Sequence, residues 1–178
     1  MSKTKNLVLA GLFVALTMLF PVIFGQIPGL NWTFLPMHLP VLIAGFVCGW
    51  KYGALVGFIA PLLSLLTGHQ SSLVSAIPMA LELAVYGLLT GLIYLILTNK
   101  NVNLVANVYI SLIISMLGGR IVYGIIKYAI VTMGISQSPY SFELFIAGTF
   151  IKVIPGIILQ LVLIPILVIT LKKAKLIK

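Results

Sequence analysis

Residues 34–68 read FLPMHLPVLIAGFVCGWKYGALVGFIAPLLSLLTG, and this almost wholly apolar stretch carries a single charge, Lys51. As one helix it would be about 48 Å long, whereas the hydrocarbon core of a bilayer is about 30 Å thick. A turn at residues 50–53 (WKYG) instead gives two short helices over 37–50 and 52–66, with Lys51 at the turn. How this hairpin folds decides the topology of the rest of the chain.

Glycines recur at every fourth position of the stretch, at Gly45, Gly49, Gly53 and Gly57. Small residues with this spacing lie along one face of a helix and let the backbone of another helix come close. The glycines therefore predict a hairpin that packs tightly, or slides, against its neighbours.

The composition is that of an integral membrane protein. Of the 178 residues, 61% are hydrophobic and only 7% are charged, whereas a soluble domain carries about 25% charged residues. We expect one domain over 1–178, because only short polar gaps separate the apolar segments. The single cysteine, Cys48, excludes a disulfide within the chain and a CxxC site. The net charge of +9 does not indicate a nucleic-acid partner, because lysines cluster at the chain ends as they do at cytoplasmic membrane flanks.

The apolar segments predict six transmembrane helices, the second and third of them short, over 5–24, 37–50, 52–66, 77–97, 104–133 and 142–171. Pro78 then falls in the first turn of the fourth helix, and Pro155 and Pro165 are expected to bend the sixth. Six crossings put both termini on one side, whereas five would put the terminal lysine clusters on opposite sides.

Charge placement favours six crossings with both termini in the cytoplasm. The outer loops then hold no basic residue, and basic residues are enriched in cytoplasmic loops. The predicted inner side holds eight lysines: Lys3, Lys5, Lys51, Lys100, Lys172, Lys173, Lys175 and Lys178.

The remaining charges fall within predicted helices, where an ionisable residue costs at least about 2.5–3.5 kcal/mol and is a functional candidate. They are Glu82, Arg120, Lys127, Glu143 and Lys152. Counted at about 1.5 Å per residue, all lie between the outer surface and the middle of the membrane. They predict a polar pocket that opens outward.

Helical spacing orders the candidate site residues. Arg120 and Lys127 share a face, with Tyr123 beside it, and Glu82 shares a face with Tyr86. The alternative is that Glu82 with Arg120, or Glu143 with Lys127, forms a structural ion pair. The candidate substrate-binding residues are Trp32, His38, Glu82, Tyr86, Arg120, Tyr123, Lys127 and Lys152.

No motif for catalysis or for a metal is present. The chain has no aspartate, no HExxH, no GxSxG and no phosphate-binding GxxxxGK[ST] loop. His38 and His69 are 31 positions apart with no further ligand at metal-binding spacing. We therefore predict a protein that is not an enzyme, does not hydrolyse ATP and holds no cofactor.

Several segments resemble the substrate-binding S components of energy-coupling factor (ECF) ABC transporters, which import vitamins. They are LVLAGLFVAL at 7–16, the run over 36–68, MALELAVYGLLTGLIY at 79–94 and GGR at 118–120. The resemblance implies a six-helix subunit of a bacterial cell membrane that binds a vitamin from outside with high affinity. It would dock on a transmembrane coupling subunit driven by two ATPase subunits and carry its ligand inward by toppling in the bilayer.

The resemblance also implies residue roles and a ligand class. Small residues of the first helix contact the coupling subunit in this family, and Gly11 and Ala15 match them. The motifs look closest to members linked with corrinoids or queuine-type bases, and pantothenate and folate stay open. A different class of function is a self-contained ion-coupled transporter with Glu82 as its proton site, although no inverted repeat is visible between the two halves.

Overall fold

The computed structural model describes residues 3–25, 35–68, 72–135 and 153–174, and this part of the chain is helical without strands. The helices are α1 (Lys3–Gly25), α2 (His38–Cys48), α3 (Trp50–Leu66), α4 (Leu73–Asn99), α5 (Leu104–Thr132) and α6 (Ile154–Lys173). The predicted all-helical class with two short helices after the first is confirmed.

Four of these helices, α1, α4, α5 and α6, are long and apolar enough to cross a membrane. The other two have 11 residues (α2) and 17 residues (α3). Large apolar side chains such as Leu7, Ile113 and Ile166 are exposed on the outside of the bundle. A surface of this kind is suited to contact with lipid tails.

The hairpin turns at Gly49, so the predicted turn at residues 50–53 is wrong. Gly49 has φ +86° and ψ 171°, a conformation that is essentially restricted to glycine. Because the chain reverses at this one residue, α3 already begins at Trp50 and Lys51 lies in its first turn. The spacing of the glycines could not show which of them adopts this backbone conformation.

Two other predicted helix starts need correction. Helix α4 begins at Leu73, so Pro78 lies inside it and not in its first turn. Pro155 occupies one of the first two positions of α6, where proline fits without losing a hydrogen bond, and is not a bend in mid-helix. Pro165 does lie inside α6. The segment before α6 lies outside the described residues.

Helices α2, α3 and α4 pack with their backbones in contact. A Cβ atom added at Gly53 would lie 2.6 Å from the Gly87 carbonyl oxygen, and one added at Gly45 would lie 2.8 Å from the same atom. One added at Gly57 would collide with the carbonyl group of Leu83. The prediction that these glycines allow tight packing is confirmed.

A buried polar seam joins α4 to α5. Thr90 Oγ1 donates a hydrogen bond to Ser115 Oγ at 2.9 Å. Nearer the other end of the seam, Asn107 Nδ2 donates to the Tyr94 carbonyl oxygen at 3.1 Å and to Thr98 Oγ1 at 2.9 Å. Such bonds hold transmembrane helices together because no water is present to compete for them. They also fix the antiparallel register of the two helices.

Candidate functional site

A buried polar cluster joins α2, α4 and α5. Glu82 Oε1 lies 2.9 Å from Arg120 Nη1 and 3.6 Å from His38 Nε2. His38 and Glu82 are 2% exposed and Arg120 is 6% exposed. The structure therefore contains the Glu82–Arg120 ion pair that the sequence left open as an alternative, and adds His38 to it.

Tyr86 completes the cluster one turn along α4 from Glu82. Its ring meets the His38 ring edge-on, with the centroids 5.2 Å apart, and it is 1% exposed. On the other side, a Cβ added at Gly119 would lie 2.9 Å from the Tyr86 ring and 3.1 Å from the Glu82 carbonyl oxygen. The glycine before Arg120 thus lets α5 approach α4 closely enough for the guanidinium to reach Glu82.

The cluster is balanced in charge but not in hydrogen bonds. Glu82 Oε1 is close enough to Arg120 for an ion pair, yet the direction of the contact is not that of a hydrogen bond. Arg120 Nη2 and both ring nitrogens of His38 also lack hydrogen-bond partners within the described part of the chain. A buried polar atom left unpaired costs about 1–3 kcal/mol. A ligand that offers both donors and acceptors would remove this penalty.

Gln160 on α6 is a further candidate that the sequence reasoning missed. The ammonium of Lys172 donates to Tyr94 Oη at 3.1 Å, which aligns the ends of α6 and α4. Gln160 lies twelve residues before Lys172 on α6, and Glu82 lies twelve residues before Tyr94 on α4. Both separations correspond to about 18 Å along a helix. Since the two helices run in the same direction, Gln160 is level with Glu82. It is 1% exposed and its Nε2 has no partner among the described residues.

Two other predicted site residues follow Arg120 on α5, and Tyr123 is close enough to Glu82 and Arg120 to interact with their charges. Tyr123 and Lys127 are half-buried on α5, in the two turns that follow Arg120. Trp32 and Lys152 lie outside the residues that the structure describes. Glu143 does too, so its predicted pairing with Lys127 stays a prediction.

The predicted coupling residues lie on an open face of α1. Gly11 and Ala15 are both exposed, and a Cβ added at Gly11 would meet no described atom within 4 Å. The face therefore has room for a second helix. Among the described residues, no group of three or more His, Cys, Asp or Glu side chains is placed to hold a metal ion.

Comparison with known proteins gives one match. A family model described as "ECF transporter, substrate-specific component" matches residues 5–168, which is nearly the whole chain. No curated protein and no solved structure matches the chain. The matched range includes both the buried cluster and the open face of α1.

Proposed function

The chain belongs to the family of ECF transporter substrate-specific components, and from this membership we propose that it binds a vitamin or related micronutrient at an outward-facing pocket. Vitamin uptake is the general role of the family, whose members are substrate-binding membrane proteins and not ATPases. We propose further that it works in a bacterial cell membrane and delivers its ligand by toppling. Its partners would be a transmembrane coupling subunit and two ATPase subunits.

The observation that supports this proposal most directly is the buried cluster around Glu82. A chain that needed only a stable bundle would gain from apolar side chains there, because buried ion pairs often stabilise no better than well-packed apolar groups. Charged residues held inside a membrane are functional candidates for that reason. The atoms of His38, Glu82, Arg120 and Gln160 that have no hydrogen-bond partner among the described residues would supply the contacts that a ligand needs.

The chemistry of the cluster favours a ligand with an amide or lactam edge. Arg120 Nη2 and Gln160 Nε2 are unused donors, and Glu82 Oε1 is an unused acceptor. The charges of Glu82 and Arg120 cancel, which suits a neutral or singly anionic compound. Corrinoids and queuine-like bases fit this description and are favoured by the sequence motifs, with pantothenate and folate as alternatives.

In this proposal the ligand is held between the cluster and the outer ends of the helices. Tyr86 and Tyr123 offer aromatic surfaces, and Lys127 would meet an anionic group. Trp32 and Lys152 are proposed to complete the pocket from the segments outside the described residues. The proposed binding residues are Trp32, His38, Glu82, Tyr86, Arg120, Tyr123, Lys127, Lys152 and Gln160.

Mass spectrometry of the small molecule that co-purifies with the protein tests this function. We expect one micronutrient-sized compound that is retained through purification and rebinds after it has been stripped. A chain that retains none, and that instead drives ion-dependent uptake alone in liposomes, would contradict the proposal. That result would favour the self-contained ion-coupled transporter instead.

Gly11→Trp is expected to reduce uptake to background in cells while leaving ligand binding by the purified subunit unchanged. The indole would occupy the open face where a coupling helix has to approach closely. Because no described atom lies within 4 Å of the added Cβ, the fold should be retained. The two measurements are uptake of labelled ligand by cells and calorimetric affinity of the purified subunit. Ala15→Trp is expected to give the same result as Gly11→Trp.

Ile113→Trp provides the matched control for this experiment. Ile113 is 46% exposed on α5, so the substitution adds the same indole to a lipid-facing position away from α1. We expect normal uptake from it. Loss of binding in Gly11→Trp would mean that this part of α1 serves folding and not coupling.

A further inference from the structure

A cavity lies at the end of the bundle away from the Glu82 cluster. It has a volume of about 220 Å³, is open on one side, and lies between the first turn of α1, the α2–α3 turn and the last turns of α4. Asn6, Trp50, Tyr94 and Thr98 are among the residues that line it, together with apolar side chains. It is smaller than the roughly 300–1,000 Å³ of a pocket that encloses a drug-sized ligand.

The edge of this cavity is basic. The Lys51 ammonium lies 5.2 Å from the centroid of the Trp50 ring. The Lys172 ammonium lies 3.1 Å from Tyr94 Oη and 5.3 Å from the centroid of its ring. Trp50 and Tyr94 are both lining residues of the cavity, so each of the two cations is held against a residue of the lining. The one acidic residue of the described ranges, Glu82, is about 18 Å away along α4 from Tyr94.

One lining residue of the cavity, Asn6, has a hydrogen-bond acceptor without a partner in the described part of the chain. Asn6 Oδ1 is buried and has no donor among the described residues. The phosphodiester group of a lipid would not satisfy this oxygen by itself, because both groups are acceptors. A ligand that combines a phosphate with a hydroxyl group would meet the lysines and Asn6 together.

The expected position of the cavity in the membrane indicates which class of ligand it would meet. The lysine distribution predicts that this end lies at the cytoplasmic surface, where anionic lipids are concentrated. Basic pockets between transmembrane helices on that side are suited to lipid headgroups. Trp50 and Tyr94 are the aromatic types that lie at headgroup level.

We propose that this cavity binds the headgroup of an anionic phospholipid of the inner leaflet, with phosphatidylglycerol as the best fit. Lys51 and Lys172 would pair with its phosphate, and a glycerol hydroxyl would donate to Asn6 Oδ1. The acyl chains would leave through the open side and run along the apolar helices. The proposal does not depend on which vitamin the protein binds.

Fluorescence quenching of Trp50 tests it directly. Trp32→Phe leaves Trp50 as the only tryptophan, since the chain has two. This protein is placed in phosphatidylcholine vesicles that contain increasing fractions of brominated phosphatidylglycerol or of brominated phosphatidylcholine. We expect the fraction of brominated phosphatidylglycerol that gives half-maximal quenching to be severalfold lower than that of brominated phosphatidylcholine.

Variants identify the groups involved. Lys172→Gln and Lys51→Gln should each raise the fraction of phosphatidylglycerol that gives half-maximal quenching by about fivefold. This is the effect expected from one lysine near an anionic surface. Lys173→Gln is the matched control. It removes the same charge as Lys172→Gln, but from the exposed neighbour of half-buried Lys172. Asn6→Leu should weaken quenching by phosphatidylglycerol but not by phosphatidylethanol, an anionic phosphodiester without a headgroup hydroxyl.

Equal quenching by the two brominated lipids would overturn the proposal. So would equal effects of Lys172→Gln and Lys173→Gln, since these would indicate general attraction of anionic lipid and not a site. Lack of lipid preference, together with shielding of Trp50 when the coupling subunit is added, would assign the cavity to a protein partner instead.

Discussion

Gly87→Ala is expected to prevent assembly of the helix bundle. The added methyl group would collide with the Gly53 carbonyl group, and both sides of this contact are helix backbone. No side chain is present that could rotate away, so α3 and α4 would have to separate along their contact. We expect a loss of more than about 3 kcal/mol, above the usual range for overpacking of a core. The measurements are the yield of monodisperse protein and its thermal midpoint.

Gly118→Ala is the matched control for this prediction. It makes the same change on a neighbouring helix, but the added Cβ would meet the Leu89 Cδ1 atom, at 2.5 Å, which is the free end of a flexible side chain. We expect a small loss of stability from it. If Gly87→Ala purified as well as Gly118→Ala, the result would contradict the close backbone contact between α3 and α4.

Removing either partner of the Glu82–Arg120 pair is expected to weaken ligand binding and to destabilise the protein. Glu82→Gln or Arg120→Gln leaves one buried charge alone, which costs about 3–5 kcal/mol of stability. Each also removes a charged contact to the ligand, worth about 10- to 100-fold in affinity. Calorimetric titration and thermal unfolding separate the two effects.

The double variant Glu82→Gln/Arg120→Gln shows whether the pair binds ligand or only supports the fold. It has no unpaired charge, so we expect most of the stability to return while affinity stays low. Ser115→Ala is a control that removes a buried polar group from the α4–α5 seam at some cost in stability but with normal affinity. A double variant that binds as tightly as the natural chain would show that the pair is structural.

Much of the fold could be predicted because a membrane limits the structures that a chain can adopt. The bilayer thickness determines the length of a spanning helix, and α1 and α5 end within two residues of the predicted bounds. The sequence predicts the turn at 50–53 because a turn there places Lys51 at the end of the hairpin. The chain reverses one residue earlier, at Gly49, whose positive φ no spacing pattern reveals.

The candidate site could be predicted only in part. Glu82 and Arg120 were found because a charge inside a membrane is costly wherever it lies. Helical spacing gives the face of a residue but not its partner, so the sequence could not show whether Glu82 and Arg120 pair with each other or face a ligand. Gln160 carries no charge and gave no comparable signal. Its level along the bundle, the same as that of Glu82, follows from the contact of Lys172 with Tyr94, which no local pattern encodes.

The lysines at the predicted cytoplasmic end also limit how the protein can move. Moving one elementary charge across a membrane potential of 100 mV takes about 2.3 kcal/mol. Carrying Lys51, Lys100, Lys172 and Lys173 outward against a potential that is negative inside would therefore take about 9 kcal/mol, before any loss of hydration. If the subunit topples to bring the Glu82 cluster inward, the lysine-rich end has to remain at the cytoplasmic surface and act as the pivot. The outer end would swing about it.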